Sequence, residues 1–514
     1  MIMINDKIER MKKKTICMTL LCTVFFWGCK HPQTNADFTG GEKYTEDWNS
    51  LSKHQPMPDW MYDAKFGMYF TWGVFSVPEK GSEWYPRSMY EEGNPMYEYH
   101  KKTYGDQSEF GYHRFVPMFT ATKFDAGEWA RIIKSSGARF AGPVAEHHDG
   151  FSMWASRVNP WNAKDMGPKR DIVKELSEEI RNAGMKFFVS FHHARLLQRN
   201  ASENNGGGYD SHYIYNKEWH TSSTDPKLRL LYGNMEEKEF NEYWFAKLKE
   251  VVDNYSPDIV YFDSWLNLIP EEYRKKFCAY YFNHALEKQQ EVGITYKQTD
   301  LPENVGIHDI EKGGHMEVFP SPWTTDDTMC FGSWSYTTDQ LIKPVSMVLH
   351  SLIDIVSKNG VLILNGSPRA DGSIPVEQQK MLKEIGDWLK VNGEAIYATR
   401  PWWIHGGGPT GVQTNPHGGM VTTNTYTADD FRFTQSKDGK NIYIIFLGKP
   451  EPDKRIRMRE FAPHRYPPTT PVVKVVELGS GAEVKLEQTD SAFYFTVPDV
   501  EMSKYAVVFK MILE

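Results

Sequence analysis

Short apolar runs of strand length recur along the first four hundred positions, and each closes on a polar group. They are FGMYFTWG (66–73), RFAGPVAE (139–146), KFFVSFHH (186–193), IVYFDSW (259–265), GITYKQ (293–298) and VLILNGS (361–367). Their apolar character is continuous rather than alternating, which marks strands buried on both faces, as in a parallel sheet. Between them lie stretches with apolar residues at helical spacing, such as FDAGEWARIIKSSG, RDIVKELSEEIRNAG and EKEFNEYWFAKLKEVVDNY. Several stop at Gly or Asn just before the next strand, the usual chemistry of a helix end. This β–α order, sustained over about 330 residues, predicts a (β/α) TIM-like barrel spanning 57–400. A doubly wound open sheet is the alternative, but no strand leads into a GxGxxG turn to support it.

After QQKMLKEIGDWLKVNGEAIY the pattern changes. FRFTQ, NIYIIFLG, VVKVVELG, AFYFTV and YAVVFKMIL are short runs separated by Gly- and Pro-rich turns. They predict a C-terminal antiparallel β-sandwich over 401–514. GGGPTG at 406–411 lacks the strand before it and the helix after it that a phosphate loop needs, and reads as a loop. At the other end, Met11-Lys12-Lys13-Lys14 precedes the apolar run ICMTLLCTVFFWG and then Cys29. That run is too short to span a membrane and has the layout of a secretory signal over 1–29. A Cys directly after a small residue resembles a bacterial lipoprotein signal. The expectation is an exported protein, periplasmic or tethered to the membrane through a lipidated Cys29, with 30–56 as a polar spacer.

Past the leader only Cys278 and Cys330 remain, too few for a disulfide framework, and both read as unpaired core residues. The net charge of -8, with no basic stripe beyond the leader, gives no reason to expect a nucleic-acid partner. The chain is 14% aromatic, enough to fill a core and still leave rings for stacking on sugar faces.

In a (β/α) barrel the active site lies at the C-terminal ends of the strands. Here those ends carry Thr71-Trp72, His147-His148, His192-His193, Asp263, Lys297 and Asn365 in turn. A polar ring at one barrel mouth is a binding site. A metal-dependent hydrolase is one reading of it. Such barrels place two His at i, i+2 on one strand so that both face the same side. These pairs are adjacent instead, and HExxH is absent, so neither a metal nor an organic cofactor is expected. Glycoside hydrolysis is the other reading. It needs two carboxyl groups, donors for sugar hydroxyls and an aromatic platform. Asp263 ends a buried strand between Phe262 and Trp265, where a carboxylate is costly unless paired or functional. Asp258, at the opposite end of that strand, reads as a turn cap.

Several stretches together carry a family resemblance. They are KFGMYFTWGVFSVPEKGSEWYPRSMY (65–90), AEHHDGFSMW (145–154), MGPKRDIVKEL (166–176), PDIVYFDSW (257–265), DIVSKNGVLILNGSPRADGSIP (354–375) and NGEAIYATRPW (392–402). In this order and spacing the chain resembles the α-L-fucosidases of glycoside hydrolase family 29. The resemblance implies a retaining exo-glycosidase that removes terminal α-L-fucosyl or closely related groups from oligosaccharides or polysaccharides. The rival is a non-hydrolytic carbohydrate-binding protein on the same scaffold.

The resemblance also implies roles. Asp263 matches the nucleophile; Glu83 and Trp84 match a sugar-contacting GSEWY segment; His147 and His148 match a pair that hydrogen-bonds fucose hydroxyls. Thr71, Trp72, His192, Trp265 and Lys297 complete the expected sugar site. The acid/base falls in a variable loop with Glu303, Asp309, Glu311 and Glu317 as candidates. Glu311 is preferred because TYKQTDLPENVGIHDIEKGG resembles a subset with a DxERG-like run, and Glu317 is the fallback. Two departures bear on specificity. Thr71 stands where the family commonly has His before Trp-Gly, and the strand reads YFDS rather than WFDG, which adds a hydroxyl at Ser264.

Overall fold

The computed structural model describes residues 42–199, 210–263, 265–411, 413, 420–421, 424–462 and 470–514. The leader with Cys29, residues 30–41 of the expected spacer, and Ser264 lie outside the described residues. Glu42–Glu514 forms one compact unit.

The apolar runs form strands β1 (Phe66–Phe70), β2 (Phe140–Glu146), β3 (Lys186–Phe191), β4 (Ile259–Phe262) and β5 (Gly293–Tyr296). Two strands that the pattern missed follow: β6 (Ile307–His308) and β7 (Trp323–Thr328). The last run is β8 (Gly360–Gly366). They pair in parallel in the order β6-β5-β4-β3-β2-β1-β8-β7. A parallel bridge between Asp309 and Thr324 joins the two edges and nearly closes a barrel.

Alternation inside each strand explains the continuous apolar runs. Tyr69, Phe140, Val144, Phe188, Ile259, Tyr261, Val361 and Ile363 fill the interior, and Met57 and Met61 pack into the same cluster. Their neighbours Met68, Phe70, Phe187, Val189, Val260, Leu362 and Leu364 pack outward with the helices. Both faces are dry, so neither needs polar residues.

The helices around the sheet include α1 (Ala126–Ser135), α2 (Ile172–Asn182), α3 (Glu237–Tyr255), α4 (Glu271–Lys288), α5 (Val345–Ser357) and α6 (Val376–Asn392). Asp125 and Asp171 cap α1 and α2 by accepting from Glu128 N at 2.9 Å and Lys174 N at 3.0 Å. The expected spacer is partly folded. Tyr44 N donates to Asn283 of α4 at 2.8 Å, and Leu51 is fully buried. The apolar residues responsible are too few and too spread to make a pattern.

The C-terminal region is a sandwich of two antiparallel sheets. Strands β9 (Thr399–Gly407), β10 (Phe431–Ser436), β11 (Asn441–Phe446), β12 (Arg455–Met458), β13 (Val472–Glu477), β14 (Leu486–Gln488), β15 (Phe493–Thr496) and β16 (Val507–Leu513) form it. The sheets run β9-β10-β11-β16-β13 and β12-β15-β14, with Phe433, Ile444, Phe461, Phe495 and Phe509 between them. Gly406 and Gly407, expected in a loop, pair with Arg432 and Phe431 beyond an irregularity in β9. Cys278 and Cys330 are free and buried. Among the described residues no helix is long and apolar enough to cross a membrane.

Candidate active site

A cavity of about 330 Å³ opens at the C-terminal mouth of the barrel. That is near the lower limit of ligand pockets, ~300–1,000 Å³, and suits one sugar ring rather than a run of them. Asp263, placed immediately after β4, is its focus. Lys297 Nζ, just past β5, lies 3.0 Å from Asp263 Oδ1 and 2.8 Å from Glu311 Oε2. It also lies 3.4 Å from Asp326 of β7. Asp263 Oδ2 faces His192 Nδ1 at 3.2 Å and His148 Nε2 at 3.5 Å. Burial alone would raise the Asp263 carboxyl, but the Lys297 ammonium and then His192 outweigh it and hold the group well below the usual carboxylate range. Asp263 is therefore an ionised nucleophile candidate.

Lys297 is itself nearly inaccessible. Burial would strip its proton, yet Asp263, Asp326, Glu311 and Asp309 together hold the ammonium well above its ordinary value. Asp326 is driven the opposite way. Burial raises it well above the carboxylate range, against the pull of Lys297 and with the push of Asp309 and Glu311. Burial raises Asp309 as well. Tyr69 and Tyr261 donate to these two carboxyls, at 3.0 Å to Asp326 and 3.2 Å to Asp309. The floor of the site is thus a cation under several carboxyl groups, some of which stay protonated.

The walls come from other strand ends. Thr71 N donates to Asn365 Oδ1 at 2.9 Å, and Asn365 Nδ2 donates to Trp334 O at 2.7 Å, so β8 anchors two lining segments. Buried Glu83 accepts from the backbone of Trp334 at 3.0 Å and of Ser335 at 3.3 Å, and burial raises its carboxyl. Arg195, after β3, is sandwiched between Trp84 and Trp265, its guanidinium 5.2 and 5.1 Å from the ring centroids. Trp265 is 41% exposed, at the rim.

The cluster Glu146-His147-His148-Asp149 divides into two jobs. Glu146 forms a fully buried ion pair with Lys247 of α3 and accepts from Ser152 Oγ at 2.6 Å. Asp149 accepts from Tyr112 Oη at 2.7 Å, and burial pushes its carboxyl up to about 7. Neither lines the cavity, whereas His147 and His148 do. His147, His148 and His192 each offer a ring nitrogen, all within 4.8 Å of one another, and could hold a metal ion.

Of the residues expected at the site, Thr71, Glu83, Trp84, His147, His148, His192, Asp263, Trp265, Lys297 and Glu311 line the cavity. Trp72 does not. It turns into the helical layer, packs on Phe119 and Trp129, and donates from Nε1 to Arg369 O at 2.7 Å. The residue after an inward-facing one points outward, so the expectation failed on strand alternation. The fallback Glu317 is also elsewhere: its side chain is 77% exposed and paired with His405. Glu303 is exposed, and Asp309 lies beneath the floor.

Tyr69, Arg195, Gln298, Asp326 and Trp334 line the cavity without having been singled out. Arg195 follows the second His pair closely enough to have been found. Asp326 sits in WTTDDT, which carries no apolar strand pattern.

A sequence profile of the family described as alpha-L-fucosidase matches residues 33–394. Tissue alpha-L-fucosidase of Homo sapiens is 29% identical over 478 residues, 90% of this chain and 89% of that protein. Plasma alpha-L-fucosidase of Pongo abelii is 31% identical over 429 residues, 79% of this chain and 80% of that one. Among solved structures, the Thermotoga maritima alpha-fucosidase in complex with a mechanism-based inhibitor superposes with a TM-score of 0.72 at 26% identity. That match covers 91% of this chain and 100% of the other. With a barrel mouth built around an ionised aspartate and a second carboxylate, and with this extent of likeness, the chain belongs to the α-L-fucosidase family of glycoside hydrolases.

Proposed function

We propose that this glycosidase removes terminal α-L-fucosyl groups from glycans by double displacement, with Asp263 as nucleophile and Glu311 as acid/base. One observation carries the pairing: a single Lys297 ammonium touches an oxygen of each carboxyl, at 3.0 and 2.8 Å. Those oxygens can be no further apart than the two distances laid end to end. That falls short of the ~6.5–9.5 Å of inverting pairs and accommodates the ~5–5.5 Å of retaining ones. It also argues against a purely sugar-binding role, which needs no such pair.

In the first step Asp263 attacks the anomeric carbon while Glu311, protonated, gives its proton to the departing oxygen. His192 supports the attack. Its Nε2 lies 2.6 Å from Ser190 Oγ, so the hydroxyl can donate there while Nδ1–H points at Asp263. When Asp263 becomes an ester it loses its charge, and Lys297 is left facing Glu311. The ammonium then favours the carboxylate form of Glu311 when a general base is needed for the incoming water. His148 binds His192 O through Nδ1, which leaves Nε2 of the neutral ring to accept from a sugar hydroxyl. The small cavity fits an exo-acting enzyme, and Trp265 at the rim offers a face to the leaving sugar.

The test is Glu311→Ala. It should slow hydrolysis of natural fucosylated glycans by roughly 100-fold or more, and slow an aryl fucoside with an acidic phenol far less, because that group departs without protonation. Added azide should restore turnover on the aryl substrate and yield a fucosyl azide with the α configuration. Wild-type behaviour of Glu311→Ala would move the acid/base role to another carboxyl group.

A further inference from the structure

We infer that His147, His148 and His192, with Asp263 closing the fourth position, form a binding site for a zinc-like divalent transition-metal ion, and that its occupancy silences the enzyme. The geometry at Asp263 is the starting point. Its Oδ2 lies 3.2 Å from His192 Nδ1 and 3.5 Å from His148 Nε2. Metal–ligand bonds of about 2.0–2.1 Å in a tetrahedral zinc site require ligand–ligand edges of about 3.3–3.4 Å. Two edges therefore already stand near the right length. The donor nitrogens of the three imidazoles lie within 4.8 Å of one another, so His147 completes the set by a modest closing movement.

A second, independent feature points to a cation. His148 Nδ1 is committed to the carbonyl of His192, so it carries the ring's proton and Nε2 presents a lone pair. Nε2 faces Asp263 Oδ2 at 3.5 Å, one edge of the ligand set. A metal ion between them would be held by both atoms at once. His147 has a buried Nδ1 that meets no hydrogen-bond partner among the described residues.

The surroundings match those of metal-bound histidines. The far nitrogen of His148 is fixed by a backbone carbonyl; that of His192 lies 2.6 Å from Ser190 Oγ, which accepts its N–H once the proton leaves Nδ1 for the ion to bind there, and such outer contacts orient ligating rings. Three imidazoles and one carboxylate select zinc, copper or nickel over magnesium or calcium. The ion would not be a cofactor. A catalytic zinc keeps one position open for water, whereas Asp263 takes the fourth position here. The inhibition, unlike the binding, rests on Asp263 being the nucleophile.

The full chain titrated with Co²⁺, a spectroscopic stand-in for Zn²⁺, tests the site. Expected are one ion per chain, the strong visible absorption of four-coordinate cobalt, and loss of that signal on adding Zn²⁺ or L-fucose. Ser190→Ala should weaken binding by about 10–100-fold without removing a ligand. The double variant His148→Ala/His192→Ala should lose it, with a thermal melt confirming that the variant is folded. Zn²⁺ should inhibit hydrolysis of an aryl fucoside, and a chelator should restore it. Unchanged affinity in Ser190→Ala or in the folded double variant, or only the pale spectrum of six-coordinate cobalt, overturns the site. Tight binding at the histidines with hydrolysis unaffected would instead overturn Asp263 as the nucleophile.

Discussion

At the scale of single residues, Lys297 sets the electrostatics of the cavity. Its charge is shared among Asp263, Glu311 and Asp326, and it is the largest influence opposing the burial of Asp263. The folded Asp263 carboxyl lies below its unfolded value, so its ionised form is favoured above the unfolded value and persists until pH falls through the lowered one. Activity that needs an ionised nucleophile should therefore hold well into acid. Lys297→Met removes the opposing charge and lets burial dominate. The acid limb of the kcat/KM profile should then move toward neutral pH, with kcat at the optimum falling by roughly 100-fold or more. An unmoved acid limb in the variant would show that His192, without Lys297, keeps Asp263 ionised.

At the scale of elements, legibility followed the chemistry of burial. β1 to β5 and β8 could be read because both their faces are apolar. β6 is two residues long and β7 is WTTDDT, so neither shows a pattern. β7 replaces apolar packing with hydrogen bonds: Thr325 Oγ1 donates to Ile310 O at 2.7 Å, and Lys343 holds Asp327 at 2.7 Å. The same polarity that hid the strand brings Asp326 to Lys297, so the part of the fold hardest to read is part of the site. Trp72 shows the reverse error, a residue at a strand end that strand alternation sends outward. Glu311 was reachable only through resemblance, because nothing in a loop's composition says which of several carboxylates faces inward. The β2–β3 pairing offers a test at this scale. A Cβ on Gly142 would fall 1.5 Å from Phe188 O, a backbone atom that cannot swing away. Gly142→Ala should force the two strands apart and cost on the order of 3 kcal/mol or more. Because β2 and β3 carry His148 and His192, activity should fall with stability. Normal activity with an unchanged denaturation midpoint would mean the strands separate freely there.

At the scale of the whole molecule, the sandwich is fastened to the barrel through α5 and α6. From Val348 to Ser357 every residue of α5 is buried, because the helix lies between β8 on one side and β9 and β10 on the other. Asp354 of α5 is ion-paired with Arg432 of β10 and with Lys358 at 2.9 Å, all three largely buried. Other ties cross the same boundary: His350 Nε2 donates to Tyr505 O at 2.8 Å, Trp388 Nε1 to Ala506 O at 2.9 Å, and Thr434 Oγ1 to Ala395 O at 2.7 Å. With so much of the barrel's outer layer dry only because the sandwich covers it, the two should not unfold separately. Calorimetry of the full chain should give one transition over barrel and sandwich together. Arg432→Leu leaves Asp354 buried with half of its compensation, a loss of roughly 3 kcal/mol. That loss lies on the sandwich side of the boundary, yet the single transition should move down as a whole, and fucosidase activity should disappear with it on heating. A sandwich that melted first, leaving an active barrel, would show that the boundary is a docking contact rather than part of one core.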